Sequence, residues 1–130
     1  MFAGMSQKKT TFGLTLSNRA LVTLGTKPKE LIEMAVQAEN TGEIEAIWVG
    51  DSILSKPRLE CIPLLGAIAA HTRRVKLGVA CMATITQRNP VLLALQWASL
   101  DVLSGGGAHG WRHAWGTRRA SIRWRPKSSK

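Results

Sequence analysis

Polar side chains follow two short apolar segments of the chain, at positions where they could do chemistry. Asp51 and Ser52 come directly after Ile44–Val49, and Asn18 lies just beyond Phe12–Leu16. A carboxylate at the end of a strand can serve a functional site, but aspartate is also common there as a turn or cap residue. Ser52 can donate and accept hydrogen bonds, but it does not titrate near neutral pH. Both interpretations of Asp51 are open at this point.

The cysteines and the charged loop residues point to little further chemistry. Neither Cys61 nor Cys81 has a partner at CxxC spacing, and no spacing of histidine and cysteine is typical of a metal site. We therefore predict no metal ion, and we expect both cysteines to be reduced thiols that pack as small hydrophobic residues. Arg58 and Glu60 are expected to form an ion pair within their loop.

A regular alternation of strands and helices positions these residues. Strands are predicted at 12–16, 44–49 and 75–82, because these segments are apolar or alternate with period two. The first helix is predicted to begin after Thr26 as its N-cap and to end at Gly42. The other two helices are predicted at 61–71 and from Pro90 to Leu103.

Helical spacing also predicts which residues are buried. In the first helix the apolar positions are Leu31, Met34, Ala35 and Ala38. In the third helix they form a face wide enough to cover a sheet: Leu92, Leu93, Leu95, Leu100 and Leu103, with Gln96 among them.

Strand followed by helix, three times over, predicts an α/β fold with parallel strands and right-handed crossovers. Such units form either an open doubly wound sheet or part of a closed barrel. No glycine-rich nucleotide-binding loop follows the first strand, which disfavours the common nucleotide-binding form of the open sheet.

Six segments in a fixed order resemble the bacterial luciferase-like oxidoreductases, which use a flavin or a deazaflavin. They are FGLTLSNR, IWVGD, PRLE, HTRRVKLG, RNPVLLA and LDVLSGG. The resemblance implies the first three βα units of a TIM-type (β/α)8 barrel, truncated and followed by an irregular tail. It also implies FMN or the deazaflavin coenzyme F420, and hydride transfer or oxygenation of a small organic substrate. The active site would lie at the carboxyl ends of the strands.

The resemblance implies which residues face the cofactor. They are Asn18, Asp51, Ser52, Val79, Ala80 and Cys81. Many relatives have histidine where Ser52 stands, so a histidine acid or base is in doubt here. A non-proline cis peptide, as relatives often have, would lie near Ala80–Cys81. The catalytic residues are unknown.

The resemblance divides the chain into a leader at 1–10, a partial barrel at 11–106 and a tail at 107–130. With three of eight strands, the sheet keeps open edges that could self-associate, and the chain itself is expected to be inactive. No targeting segment or span of about 20 apolar residues is evident in the sequence, which suggests the cytoplasm and no membrane.

The tail carries most of the net charge of +10, with seven arginines and lysines and no acidic residue. Residues 1–106 carry eleven basic and eight acidic residues, a net charge of +3. The composition of the tail suggests that residues 107–130 arise from a shifted reading frame. The alternative is a binding segment for nucleic acid or another polyanion, in which Trp111, Trp115 and Trp124 stack on bases while arginines contact phosphates. Nucleic acid is the less favoured of the two.

Overall fold

The computed structural model describes residues 10–53 and 56–108 of the 130-residue chain. The strands are β1 (Phe12–Leu16), β2 (Ile44–Val49) and β3 (Lys76–Val79). The helices are α1 (Ala20–Thr23), α2 (Pro28–Asn40), α3 (Cys61–His71) and α4 (Pro90–Leu103), with a 3-10 turn at Ile85–Gln87. The predictions for the leader and for Trp111, Trp115 and Trp124 of the tail lie outside the described residues.

The three strands form one parallel sheet in the order β1-β2-β3. Leu16 pairs with Val49, and Val49 pairs with Val79, so the three strands end in one row. Helices connect the neighbouring strands, as parallel pairing requires. The predicted α/β fold with consecutive βα units is confirmed.

The core lies between the sheet and the helices α2 and α3, with part of α4. Ile47 and Leu77 from the sheet and Leu65 and Ile68 from α3 are fully buried, each with 0% exposure. Each such side chain contributes about 1.5–3 kcal/mol of burial free energy. None of the helices in the described part of the chain is long and apolar enough to cross a membrane.

Helix α2 does not begin as predicted, because Lys27 rather than Thr26 is the N-cap residue. The Lys27 backbone N–H donates to Oε2 of Glu30 over 3.0 Å. Lysine has no side-chain acceptor for the first turn, whereas Glu30 satisfies the backbone of the cap from inside the helix. Pro28 suits the first helical position because it lacks an N–H that would need a partner.

Several predicted core positions are exposed instead. In α4, Leu93 and Leu100 are buried, but Leu92, Leu95 and Leu103 are more than half exposed. The helix packs mainly against α3, and its other flank has no strong contact with another described element. Met34 of α2 is also exposed. Helical spacing identified an apolar face here, but not how much of that face is covered.

The chain returns to the sheet after α4. The Leu77 N–H donates to the Gly107 carbonyl over 2.8 Å, and Leu77 pairs in parallel with Ala108. Gly105 and Gly106 make the turn with φ values of 67° and 92°, which glycine adopts readily. Gly107 and Ala108 therefore lie beside β3, where a fourth parallel strand would begin, although the tail was predicted to start at 107. The predicted open edge at β3 is covered at this point.

Trp48 lies on the face of the sheet opposite the buried Ile47 and Val49, since side chains alternate along a strand. Its ring lies against glycines of both neighbouring strands. A Cβ atom on Gly78 would lie 2.3 Å from Cζ3 of Trp48, and one on Gly13 would lie 2.7 Å from Nε1. The two glycines therefore make room for the indole ring across the sheet.

Candidate active site at the carboxyl edge of the sheet

The carboxyl ends of the three strands bring the predicted site residues to one edge of the sheet. Because Leu16, Val49 and Val79 are in register, the loops that follow them start side by side. Asn18 and Asp51 each lie two residues beyond a strand end, and both are buried. The sequence therefore placed these two side chains correctly at a shared edge.

Asp51 is engaged by groups of the chain itself. Its Oδ2 accepts hydrogen bonds from the backbone N–H of Thr84 over 3.0 Å and from the Thr84 hydroxyl over 2.6 Å. Its Oδ1 lies 2.8 Å from Nη2 of Arg88. Burial acts to raise the pKa of Asp51, but the Thr84 and Arg88 contacts more than offset it, so the pKa lies below the usual value for aspartate. The carboxylate ties the loop after β2 to the loop after β3.

Arg88 extends this network to the loop before α3. Its Nη2 also lies 2.7 Å from Oε1 of Glu60, and its Nε donates to the Thr84 hydroxyl over 2.9 Å. Burial acts to lower the pKa of Arg88, but the carboxylates of Glu60 and Asp51 hold it above its ordinary value. The guanidinium is therefore the cation that both carboxylates share.

Glu60 has a second role, because its Oε2 accepts a hydrogen bond from the Ile62 backbone N–H over 2.8 Å and caps α3. The predicted pair of Arg58 with Glu60 is wrong. Glu60 pairs with Arg88, which lies 28 residues further along the chain.

Cys61 completes a group of possible metal ligands with Asp51 and Glu60, whose ligand atoms lie within 4.8 Å of one another. The Arg88 guanidinium lies among them, with Nη2 at 3.5 Å from the Cys61 sulfur. Burial, followed by the carboxylates of Glu60 and Asp51, raises the pKa of the Cys61 thiol, so it remains protonated. The Arg88 guanidinium occupies the position among these groups that a metal cation would take. A protonated thiol is also a poor metal ligand, so the cluster does not favour metal binding.

Asn18 is 1% exposed and connects three segments of the chain through hydrogen bonds. Its Nδ2 donates to the carbonyl of Gly50 over 2.8 Å and to the carbonyl of Leu59 over 2.7 Å. The Leu59 N–H in turn donates to the Asn18 carbonyl over 3.0 Å. The amide therefore fixes the loop before α3 against the ends of β1 and β2.

The remaining predicted site residues lie at the same edge with different exposure. Ser52 is half-buried and Val79 is buried, whereas Ala80 and Cys81 are exposed. The Ala80 N–H donates to the Val49 carbonyl over 3.0 Å, which continues the pairing of β3 with β2. The peptide bonds of the described residues are all trans, so the cis peptide that the resemblance would place near Ala80–Cys81 is not found there.

Cys61 and Cys81 differ, although the sequence predicted the same role for both. Cys61 is buried, as predicted, and Cys81 is exposed. Strand β3 ends at Val79 rather than at residue 82, which leaves Cys81 in a loop. The prediction that Cys81 packs as a small hydrophobic residue is therefore wrong.

Sequence reasoning missed Thr84 and Arg88, which contact Asp51 more closely than any predicted site residue does. One signal could have found Arg88. Parallel strands bring the loops after β2 and β3 to the same edge, and Arg88 is the basic residue of the second loop. A buried carboxylate at that edge requires a cation or hydrogen-bond donors.

These contacts define what the edge can do chemically. Asp51 and Asn18 are occupied by internal partners, so they position the loops rather than transfer protons. Ser52, Ala80 and Cys81 remain on the accessible side of the same edge. Successive parallel βα units with polar residues gathered at the carboxyl edge define an enzyme-type β/α fold.

The chain belongs to the luciferase-like monooxygenase family, whose sequence profile matches residues 10–109. This confirms the resemblance found in the sequence. The matched region includes each strand and helix of the described residues, and each residue of the site described above.

Two curated relatives are F420-dependent glucose-6-phosphate dehydrogenases. The protein of Amycolatopsis mediterranei (strain U-32) is 32% identical over 85 residues, which are 61% of this chain and 25% of that protein. The protein of Kineococcus radiotolerans is 30% identical over 86 residues, which are 62% of this chain and 25% of that protein. The chain therefore spans about a quarter of the length of these relatives.

Solved structures of similar fold include two barrel enzymes. The coenzyme F420-dependent tetrahydromethanopterin reductase of Methanopyrus kandleri is 26% identical, with a TM-score of 0.61 over 78% of this chain and 26% of that one. The oxygenating constituent of 3,6-diketocamphane monooxygenase of Pseudomonas putida, solved in complex with FMN, is 18% identical, with a TM-score of 0.65 over 78% and 29%. The described fold is that of the first three βα units of a (β/α)8 barrel.

Proposed function

We propose that this chain carries the first three βα units of an oxidoreductase that uses reduced FMN or coenzyme F420. The reaction is hydride transfer to, or oxygenation of, a small organic substrate. The convergence of Asn18, Asp51 and the end of β3 on one carboxyl edge carries this proposal, because that edge is the active-site face of barrel enzymes. Of the two cofactors we favour F420, since both curated relatives at 30% identity or more are F420-dependent.

The described residues fit a planar cofactor ring at this edge. Ala80 and Cys81 are exposed and have small side chains, and Ser52 lies half-buried at the neighbouring strand end. Asn18 fixes the loop before α3, and Asp51 fixes the loop after β3, through the contacts described above. When bound, the flavin or deazaflavin supplies the two-electron chemistry. Ser52 hydrogen-bonds but does not act as an acid or base near neutral pH.

We further propose that the chain alone has no activity, because activity requires the remaining units of a barrel. The three strands of the described residues leave β1 as an edge strand and do not enclose a cofactor. The edge can pair with another copy of the chain. The division into a leader, a partial barrel and a tail, and location in the cytoplasm, belong to the same proposal.

The composition of residues 107–130 supports an origin in a shifted reading frame. Gly107 and Ala108 lie beside β3, where Leu77 forms one isolated parallel bridge with Ala108. The DNA of the gene tests this: an alternative frame should encode an arginine-led, strand-like continuation after Gly106. If neither alternative frame encodes one, the idea fails.

The cofactor proposal is tested with a chimera. Residues 10–106 replace the matching segment of the Amycolatopsis F420-dependent dehydrogenase, and F420 binding is measured by the quenching of tryptophan fluorescence. We expect the chimera to bind F420, and we expect the 130-residue chain to show no turnover with reduced F420 or FMN. A chimera that is folded by circular dichroism but does not bind F420 contradicts the cofactor proposal. Cofactor-dependent turnover by the chain alone contradicts the proposed inactivity.

A further inference from the structure

Two arginines at the carboxyl edge have buried donors without an acceptor. The Nε atoms of Arg19 and Arg58 are buried and have no hydrogen-bond partner, while each residue as a whole is half-buried. Within residues 10–53 and 56–108, the basic residues that form ion pairs are Lys29, Lys76 and Arg88. The cations of Arg19 and Arg58 therefore lack a counter-ion there.

The two arginines project from segments that are bonded to each other. The Leu59 N–H donates to the Asn18 carbonyl over 3.0 Å, so Arg58 and Arg19 are each next in sequence to one member of that pair. The Asn18 amide reinforces the contact through the carbonyls of Leu59 and Gly50. The backbone that carries both side chains is thus fixed.

The absence of a side chain at Gly50 leaves room for the Arg58 guanidinium. A Cβ atom on Gly50 would lie 2.4 Å from Nη1 of Arg58, so any other residue would displace the guanidinium. The guanidinium therefore lies against the backbone at the end of β2. It is packed, rather than extended freely into solvent.

The carboxylates of this edge pair with a different arginine. Asp51 and Glu60 both bind Arg88, through distances of 2.8 Å and 2.7 Å. A guanidinium is always charged, and its planar row of donors matches the oxygens of a phosphate or a carboxylate. Buried donors of this kind are normally satisfied by a partner. No group of the described residues accepts a hydrogen bond from these two Nε atoms.

The geometry points to an oxyanion-binding site formed by Arg19 and Arg58 at the carboxyl edge, which takes a phosphate or a carboxylate group. The site goes beyond the proposed redox function, because it needs no flavin or deazaflavin ring. Its anion can be a free ion or the phosphate of a larger molecule, and the experiment distinguishes these sources.

The test uses the full 130-residue chain labelled with 15N, and it follows the arginine Nε–H signals during titration with inorganic phosphate. Arg58→Lys assigns the Arg58 signal by removing it. We expect phosphate to shift the Arg19 and Arg58 signals in a saturable way, and to leave the Arg73 signal unchanged. Arg73 is exposed and precedes β3, at the opposite edge of the sheet. Equal shifts for all three arginines, or no shift for any, would overturn the proposal.

Matched variants give a second measurement. Arg58→Gln should weaken phosphate binding roughly tenfold or more, since it removes a charge and the donor fork. Arg73→Gln removes the same charge at the other edge and should leave binding unchanged. If Arg58→Gln binds phosphate as tightly as the natural chain does, the assignment is wrong.

Two ligands that differ by one phosphate identify the source of the anion. FMN that shifts the Arg19 and Arg58 signals, while riboflavin does not, assigns the site to the phosphate of a cofactor. Inorganic phosphate that shifts them while FMN does not assigns the site to a separate anion. Because inorganic phosphate is tested on its own, failure of the cofactor proposal and failure of this site give different results.

Discussion

Arg88 Nη2 lies 2.8 Å from Asp51 Oδ1, so a side chain from the loop after β3 neutralises a carboxylate from the loop after β2. Thr84 binds the second oxygen of the same carboxylate. Asp51 is therefore a connecting residue between two loops of the candidate active site. An aspartate after a strand can be a functional-site residue or a turn residue. The contacts of Asp51 favour a structural role, because both of its oxygens bind groups of the loop after β3.

Asp51→Asn should lower the free energy of unfolding by about 3 kcal/mol. The substitution removes the buried carboxylate that binds the Arg88 guanidinium and leaves Glu60 as its partner. The free energy of unfolding is measured by urea denaturation.

Glu33→Gln is the matched control for Asp51→Asn. Glu33 pairs with Lys29 at 3.5 Å on the surface of α2, with side-chain exposures of 54% and 86%. An exposed pair of this kind contributes less than about 1 kcal/mol. If both variants have the same small effect, the Asp51–Arg88 contact is not a stabilising one.

Acidification should destabilise the fold through Glu39 as well as Asp51. Glu39 Oε2 accepts backbone N–H bonds from Arg74 over 2.7 Å and Val75 over 2.9 Å, and Arg73 donates to both oxygens over 3.0 Å. Burial acts to raise the pKa of Glu39, but these bonds lower it below the usual value. The carboxylate fixes the end of α2 to the turn before β3.

The sign of the pH effect follows from the lowered pKa values. As the pH falls, the unfolded chain takes up protons first, near the ordinary carboxyl values of about 4. The stabilisation is therefore complete above about pH 5 and declines below about pH 4, as the pH approaches the lowered pKa values of the folded chain. Urea denaturation between pH 3 and pH 7 measures this, and Glu39→Gln should flatten the profile where Glu33→Gln should not. A profile unchanged by Glu39→Gln would show that these bonds do not contribute.

The two cysteines should react differently with a thiol reagent. Cys81 is exposed and Cys61 is buried, so the folded chain should react once with Ellman's reagent and the chain in guanidinium should react twice. Cys81→Ser should abolish the fast reaction, whereas Cys61→Ser should leave it. Rapid modification of Cys61 in the folded chain would mean that the Arg88 cluster opens readily.

The order of strands and helices could be predicted from the sequence because it depends on local signals. Pro28 and Pro90 mark helix starts, and the apolar run at Ile44–Val49 marks a buried strand. The partners of Asp51 could not be predicted in the same way. Thr84 and Arg88 lie 33 and 37 residues away in sequence, and only the parallel pairing of β2 with β3 brings them to that carboxylate.

The exposed leucines of α4 show a second limit of sequence reasoning. Leu95 occupies a position of the apolar face as regular as that of Leu93, yet Leu93 is 5% exposed and Leu95 is 64% exposed. Periodicity reports that a face is apolar, whereas burial depends on the neighbours that cover it. The apolar face of α4 is wider than the surface that α3 covers.

Gly78→Ala should destabilise the fold by about 1–3 kcal/mol, the usual cost of overpacking. The new methyl group would lie 2.3 Å from Cζ3 of Trp48, so the indole ring has to move. The tryptophan emission should change as well. In a Trp48→Ala background, Gly78→Ala should lower the free energy of unfolding by less than it does in the natural chain, because the ring that the methyl group displaces is absent. Gly66→Ala is the control: its Cβ would have nothing within 4 Å, and in the middle of α3 alanine should stabilise the chain by about 0.5–1 kcal/mol. Equal effects of the two glycine substitutions would show that Trp48 does not lie across β3 as described, since only Gly78 is placed against a ring.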